Sequence, residues 1–193
     1  MARRFTLATL LGSALLFAVQ PLVARALLPL TGGVPALWNT CVLFFQCALL
    51  AGSGYAHALP SRLGQRAQPA LHLALLALAL TTLPFSFTAL PPPPDGDPTG
   101  WVLLALTLRV APAFVLLSTG APLLQRWYVT ATGSDPSPLI AASNVGSLVA
   151  LLAYPLAVEP LLALRAQGRA FTAGFALYVL AVAACAVKVA TLD

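Results

Sequence analysis

The sequence predicts an all-α polytopic membrane protein with six transmembrane helices, and three observations carry that prediction. Of its 193 residues, 60% are hydrophobic and only 8% are charged, too little charge to cover a soluble domain of this size. Apolar runs of about 20 residues, the length that crosses a hydrocarbon core as a helix, recur along the whole chain. Ten Lys and Arg against five Asp and Glu give a net charge of +5, and the basic residues are scattered at the ends of apolar runs. That is a pattern of membrane topology, with the bilayer as first partner and no nucleic acid expected.

Six runs are expected to cross: Phe5–Pro29, Ala36–Leu59, Ala70–Leu90, Trp101–Leu124, Leu139–Val158 and Phe171–Ala190. The first opens MARRFTLATLLGSALLFA, with the basic start and apolar middle of a signal peptide. Its apolar stretch continues past Gln20 with no Ala-x-Ala site, so a retained helix is expected. In LTGGVPALWNTCVLFF, Gly32 and Gly33 suit the end of one helix and Pro35 the first turn of the next. Trp38 then falls at the membrane–water level. Asn39 and Thr40 lie one turn further in, where they are expected to face other helices or cap backbone groups, because contact with lipid costs free energy. Cys41, Cys47 and Cys185 all lie in apolar segments without Cys-x-x-Cys spacing or a histidine at ligand distance. They read as small buried hydrophobes, and neither a metal nor a cofactor is implied.

An inside N-terminus puts Arg3, Arg4, Arg62, Arg66, Arg126 and Lys188 in the cytoplasm, and Arg25, Arg165 and Arg169 outside. This bias favours both termini inside, Asp193 included, against the dissent of Arg165 and Arg169. PPPPDGDP, Pro91 to Pro98, then falls outside as a spacer stiffened toward polyproline II and carrying Asp95 and Asp97. His57 and His72 bracket the inner loop, where solvated or helix-terminal histidines are expected.

The second half of the chain repeats the first. PLVAR, Pro21 to Arg25, is followed six residues after its arginine by TGGVP, and PLLQR, Pro122 to Arg126, is followed at the same spacing by TGSDP. Ala48, Gly52 and Ala56 form a small-residue ridge in the second run, as Ala142, Gly146 and Ala150 do in the fifth. Four-residue spacing lines one helix face and allows close backbone approach. A single domain, 1–193, is therefore expected to hold one repeat over about 1–90 and another over about 101–193, with 91–100 as the outer loop. A unit of three crossings enters from the opposite side in its second copy, so the 3+3 repeat is inverted.

Inverted three-helix repeats build each six-helix half of major facilitator transporters, which hold substrate near the midplane. SRLGQR, Ser61 to Arg66, resembles the basic loop that this superfamily carries between its second and third helices. Arg62, Gly64 and Arg66 match, and Ser61 stands where an aspartate is usual. A longer resemblance runs through VQPLVARALLPLTGGVPALWNTCVLFFQCALLAGSGYAHAL, APLLQRWY, AASNVGSLVALLAYP and EPLLALRAQ. These stretches are similar to the membrane half of bacterial membrane-bound spermidine synthase-like proteins, where a major facilitator-like domain precedes a cytosolic polyamine aminopropyltransferase. The resemblance implies a multi-pass protein of the bacterial inner membrane. The transferase half is absent: the five acidic residues do not flank a glycine-rich nucleoside loop, and GSGYAH, Gly52 to His57, lies in an apolar helix.

Polar groups at membrane depth are the candidate site residues, because they are costly there. Arg109 lies about eight residues, roughly 12 Å, into the fourth run. Gln20, Asn39, Gln46 and Asn144 could bind a substrate in a central cleft, and Arg25 and Glu159 could pair near the outer helix ends as a gate. Two readings follow. The chain either transports or handles a small polar metabolite, with a second membrane chain or a homodimer completing it, or it anchors or regulates a cytosolic aminopropyltransferase-like enzyme. Without an intramembrane carboxylate, free polyamine transport by this chain alone is disfavoured.

Overall fold

The computed structural model of the chain describes residues 2–33, 35–87, 90–91, 93 and 96–190. Asp95 in the proline-rich segment and the terminal Asp193 lie outside the described residues. All regular structure among those described is helical.

Helix α1 (Ala2–Thr31) runs unbroken through Pro21 and Pro29. Phe5, Ala8, Gly12, Leu15, Val19, Leu22, Val23 and Leu27 are buried along it at helical spacing. Half of its most apolar window is buried, against a third or less in the other long helices, which makes α1 the centre of the bundle. Thr31 closes it by donating its hydroxyl to the Leu27 carbonyl at 3.1 Å. Gly32 and Gly33 then take φ of 71° and 70°, a left-handed conformation open to glycine without steric cost. Helix α2 (Pro35–Arg62) starts on its proline, as the sequence predicts.

The third expected run is helical only over α3 (Ala67–Leu80). Fourteen residues rise roughly 21 Å, short of a hydrocarbon core of about 30 Å. Thr81 and Thr82 turn their hydroxyls back onto the carbonyls of Leu78 and Ala79, both at 2.7 Å, and the chain continues without regular structure through a cis Leu83–Pro84 bond to Phe87.

The fourth run is three helices rather than one: α4 (Thr99–Arg109), α5 (Ala111–Ser118) and α6 (Gly120–Thr132). The axis turns by 64° after Arg109. Pro112, in the first turn of α5, has no N–H to continue the ladder, which is a sufficient cause for a bend. At the second break Ser118 and Thr119 bond back to the carbonyls of Val115 and Leu116, each at 2.7 Å. Gly133, at φ 65°, ends α6 as Gly32 ends α1.

Helix α7 (Ser137–Ala153) passes through a π turn at Tyr154–Val158 into the short α8 (Glu159–Leu161), and α9 (Leu164–Ala190) is the last described element. Pro155 lacks the N–H that an α-helical bond would need, and the ladder widens there. α1 packs against α7, α9, α6 and α5; α2 packs against α5 and α4; α3 packs against α9 and α5. Among the described residues, four helices are long and apolar enough to cross a membrane: Ala2–Thr31, Leu37–Arg62, Ser137–Leu161 and Leu164–Val189. The bent fourth run makes a fifth if it is one span, and Ala67–Leu80 is shorter.

Candidate functional site

The widened turn after α7 decides where Glu159 arrives. It brings Glu159 to Arg25 of α1, with Nε and Oε1 4.0 Å apart and an Arg25 Nη1 donating to the Glu159 backbone carbonyl at 3.0 Å. The side chains keep 33% and 50% of their exposure, so solvent screens the pair and its worth lies in position. Behind it, the Tyr154 hydroxyl donates to Gln167 Oε1 at 2.7 Å. Gln167 is buried, and its Nε2 donates to the Leu162 carbonyl at 2.8 Å and to the Val158 carbonyl at 3.4 Å. The Leu162 carbonyl lies in the turn between α8 and α9, so the glutamine satisfies a backbone group there, and its longer contact reaches back to the end of the π turn at Val158. Sequence reasoning missed Gln167 because LRAQGR reads as a solvated loop.

The other expected site residues are not gathered in one place. Arg109 ends α4 at the bend, half-buried, and its Nε is buried without a hydrogen-bond partner. Gln20 is half-buried on α1. Asn39 and Gln46 are exposed on α2, seven residues apart and so on one face, among the exposed Trp38, Val42, Leu43, Cys47 and Leu50. Asn144 is exposed on α7 beside Val145, Leu148 and Val149. Asn39 thus faces outward instead of meeting another helix of this chain, whereas Thr40 is buried. Cys47 likewise departs from the buried reading that Cys41 and Cys185 follow.

A second polar cluster, unforeseen in the sequence, is internal. His72 is 1% exposed rather than solvated, its ring 5.8 Å from that of Tyr55 on α2 and 6.0 Å from that of Trp127 on α6. Trp127 Nε1 donates to Gln68 Oε1 at 3.3 Å, and Gln68 Nε2 donates to the Leu63 carbonyl at 2.9 Å. His72 Nδ1 and the Tyr55 hydroxyl have no partner. Nearer the centre, the hydroxyls of Ser13 and Ser143 bond at 2.7 Å and tie α1 to α7. The Tyr178 ring lies over Gly12 and Gly120 with its hydroxyl unpartnered. Among the described residues no three His, Cys, Asp or Glu come together as a metal site.

Comparison with protein families, with curated proteins and with solved structures returns no match.

Proposed function

We propose that the chain is a six-crossing membrane domain of two inverted repeats, built like half of a major facilitator. On this reading it handles a small polar metabolite at a face shared with a second six-helix unit. The repeat is supported by pairs of equal geometry. Thr132 closes α6 on the Tyr128 carbonyl at 2.8 Å as Thr31 closes α1, and each threonine precedes a left-handed glycine. Gly146 of α7 lies against the backbone of Leu10 and Ala14 in the first run, and Gly52 of α2 against Ser118 and the Val115 carbonyl in the fourth. Exchanging the first three runs with the last three keeps the main packing partners: first with fifth and second with fourth, third with sixth, first with fourth.

The metabolite reading is carried by one observation: Asn39, Gln46 and Asn144 present amides on the outside of two apolar helices. Lipid would leave those amides unsatisfied, whereas a second unit or a watered cleft would not. The second reading, an anchor for a cytosolic aminopropyltransferase-like enzyme, is favoured by the packing of Leu106, Phe114, Phe175 and other fully buried apolar side chains at the centre of the bundle. It also draws on the resemblance to spermidine synthase-like membrane halves.

The test is a screen of polyamines, thioethers and organic anions for thermal stabilisation of the purified protein. A ligand at 100 times its Kd stabilises by about 2.7 kcal/mol. On the metabolite reading Gln46→Leu and Arg109→Gln abolish that stabilisation at unchanged folded yield. Stabilisation that persists in both variants removes these residues from the site, and no stabilisation by any compound favours the anchor.

A further inference from the structure

Arg165 and Arg169 are the two residues that run against the basic-residue bias along the chain, and the fold gives them a setting. Because α3 stops after Leu80, the space it would fill at that end of the bundle is left to the irregular segment Pro84–Phe87 and to a cavity of about 610 Å³. Its walls are apolar: Leu22, Ala26 and Leu30 on one side of α1, Phe85 and Phe87 across from them. Phe85 is held by the ring of Phe171, 5.2 Å away. Arg165 and Arg169 line the same cavity from the start of α9, one helical turn apart and both exposed. Arg25 takes Glu159 as its partner, and among the described residues neither Arg165 nor Arg169 has a carboxylate within ion-pair distance. The N-terminal end of a 27-residue helix adds partial positive charge at the same place.

We propose that this cavity is a binding site for an anionic phospholipid, with an acyl chain between α1 and the Pro84–Phe87 segment and the phosphate held by Arg165 and Arg169. The volume lies in the range of ligand sites. Guanidinium forks match phosphate oxygens two at a time. An apolar chamber beside two unpaired arginines complements an amphiphile with a phosphate head rather than a free anion. Irregular backbone at membrane depth is tolerated where it lines a cavity, and an acyl chain would cover it further.

The test uses the whole chain in phosphatidylcholine nanodiscs, with phosphatidylglycerol added. Phosphatidylglycerol is expected to raise the thermal midpoint and to be retained in native mass spectra, while added phosphatidylcholine and inorganic phosphate do neither. R165Q/R169Q, at two exposed positions, should keep the midpoint in phosphatidylcholine and weaken phosphatidylglycerol binding about tenfold or more. Ala26→Phe, which fills the cavity and leaves both arginines, should also lose retention. Equal stabilisation by phosphatidylcholine, an effect of inorganic phosphate matching that of the lipid, or a phosphatidylglycerol effect undiminished in both variants would each overturn the proposal.

Discussion

Gly146 has no room for a side chain. A Cβ there would meet the carbonyl oxygen of Leu10 and, at 3.1 and 3.3 Å, its carbonyl carbon and the Ala14 nitrogen, all backbone, so α1 or α7 would have to move. Gly54 has nothing within 4 Å. In thermal unfolding in detergent Gly146→Ala is therefore expected to cost about 1–3 kcal/mol, the range for overpacking, and Gly54→Ala, at an open position inside α2, to cost nothing and gain up to about 1 kcal/mol. Equal midpoints would remove the α1–α7 contact from the account. At Gly120 the obstruction is the Tyr178 hydroxyl, which is buried without a partner. Tyr178→Phe alone should be neutral or mildly stabilising, since it deletes an unsatisfied group. It should also recover part of the loss caused by Gly120→Ala, and an additive double-mutant cycle would contradict that contact. Asp97 behaves differently, because it is solvated. The hydroxyl and N–H of Thr99 hold its carboxyl below its ordinary value of 3.8. Its support for the start of α4 is thus fully present above that ordinary value and is lost as pH falls through the depressed one. Asp97→Asn should lower the midpoint by the same amount across about pH 5 to pH 7 and flatten the acid decline.

At the scale of elements, the contact between α1 and the turn after α7 separates two contributions. Glu159→Gln keeps the backbone carbonyl that Arg25 also uses, so it should cost no more than about 1 kcal/mol. Arg25→Leu removes both contacts and should cost more; the reverse order of midpoints would mean that the carboxylate alone holds the turn. The ends of helices were legible in the sequence wherever a single residue type dictates them: the glycines after Thr31 and the proline opening α2 stand at the ends expected of them, whereas Gly133 ends a helix that composition stops at Leu124. The breaks were not legible. Hydropathy averages over a window, so TLRVAPAFVLLSTGAP reads as continuous apolar chain although its bend at Arg109 and its break at Thr119 divide it into three helices. Composition likewise extends the third run to Leu90, whereas two threonines bonding backward end it at Leu80. Asn39 and His72 exchanged the settings expected of them for a related reason. Sequence places a polar residue along a helix, but only packing determines which face is covered.

For the whole molecule the number of crossings depends on whether α3 and the irregular segment after it together cross the bilayer. If they do, the bent fourth run counts once, the crossings number six, and both ends of the chain lie on one side with the proline-rich segment on the other. If they do not, five crossings remain, the inverted repeat fails, and the ends lie on opposite sides. The most direct measurement is a reporter active only in the cytoplasm, fused after Asp193 in one protein and inserted at Gly96 in another, with an N-terminal fusion as reference. Six crossings give activity at both ends and none at Gly96; activity at one end of the chain but not the other means that the crossings number five, which contradicts the inverted repeat.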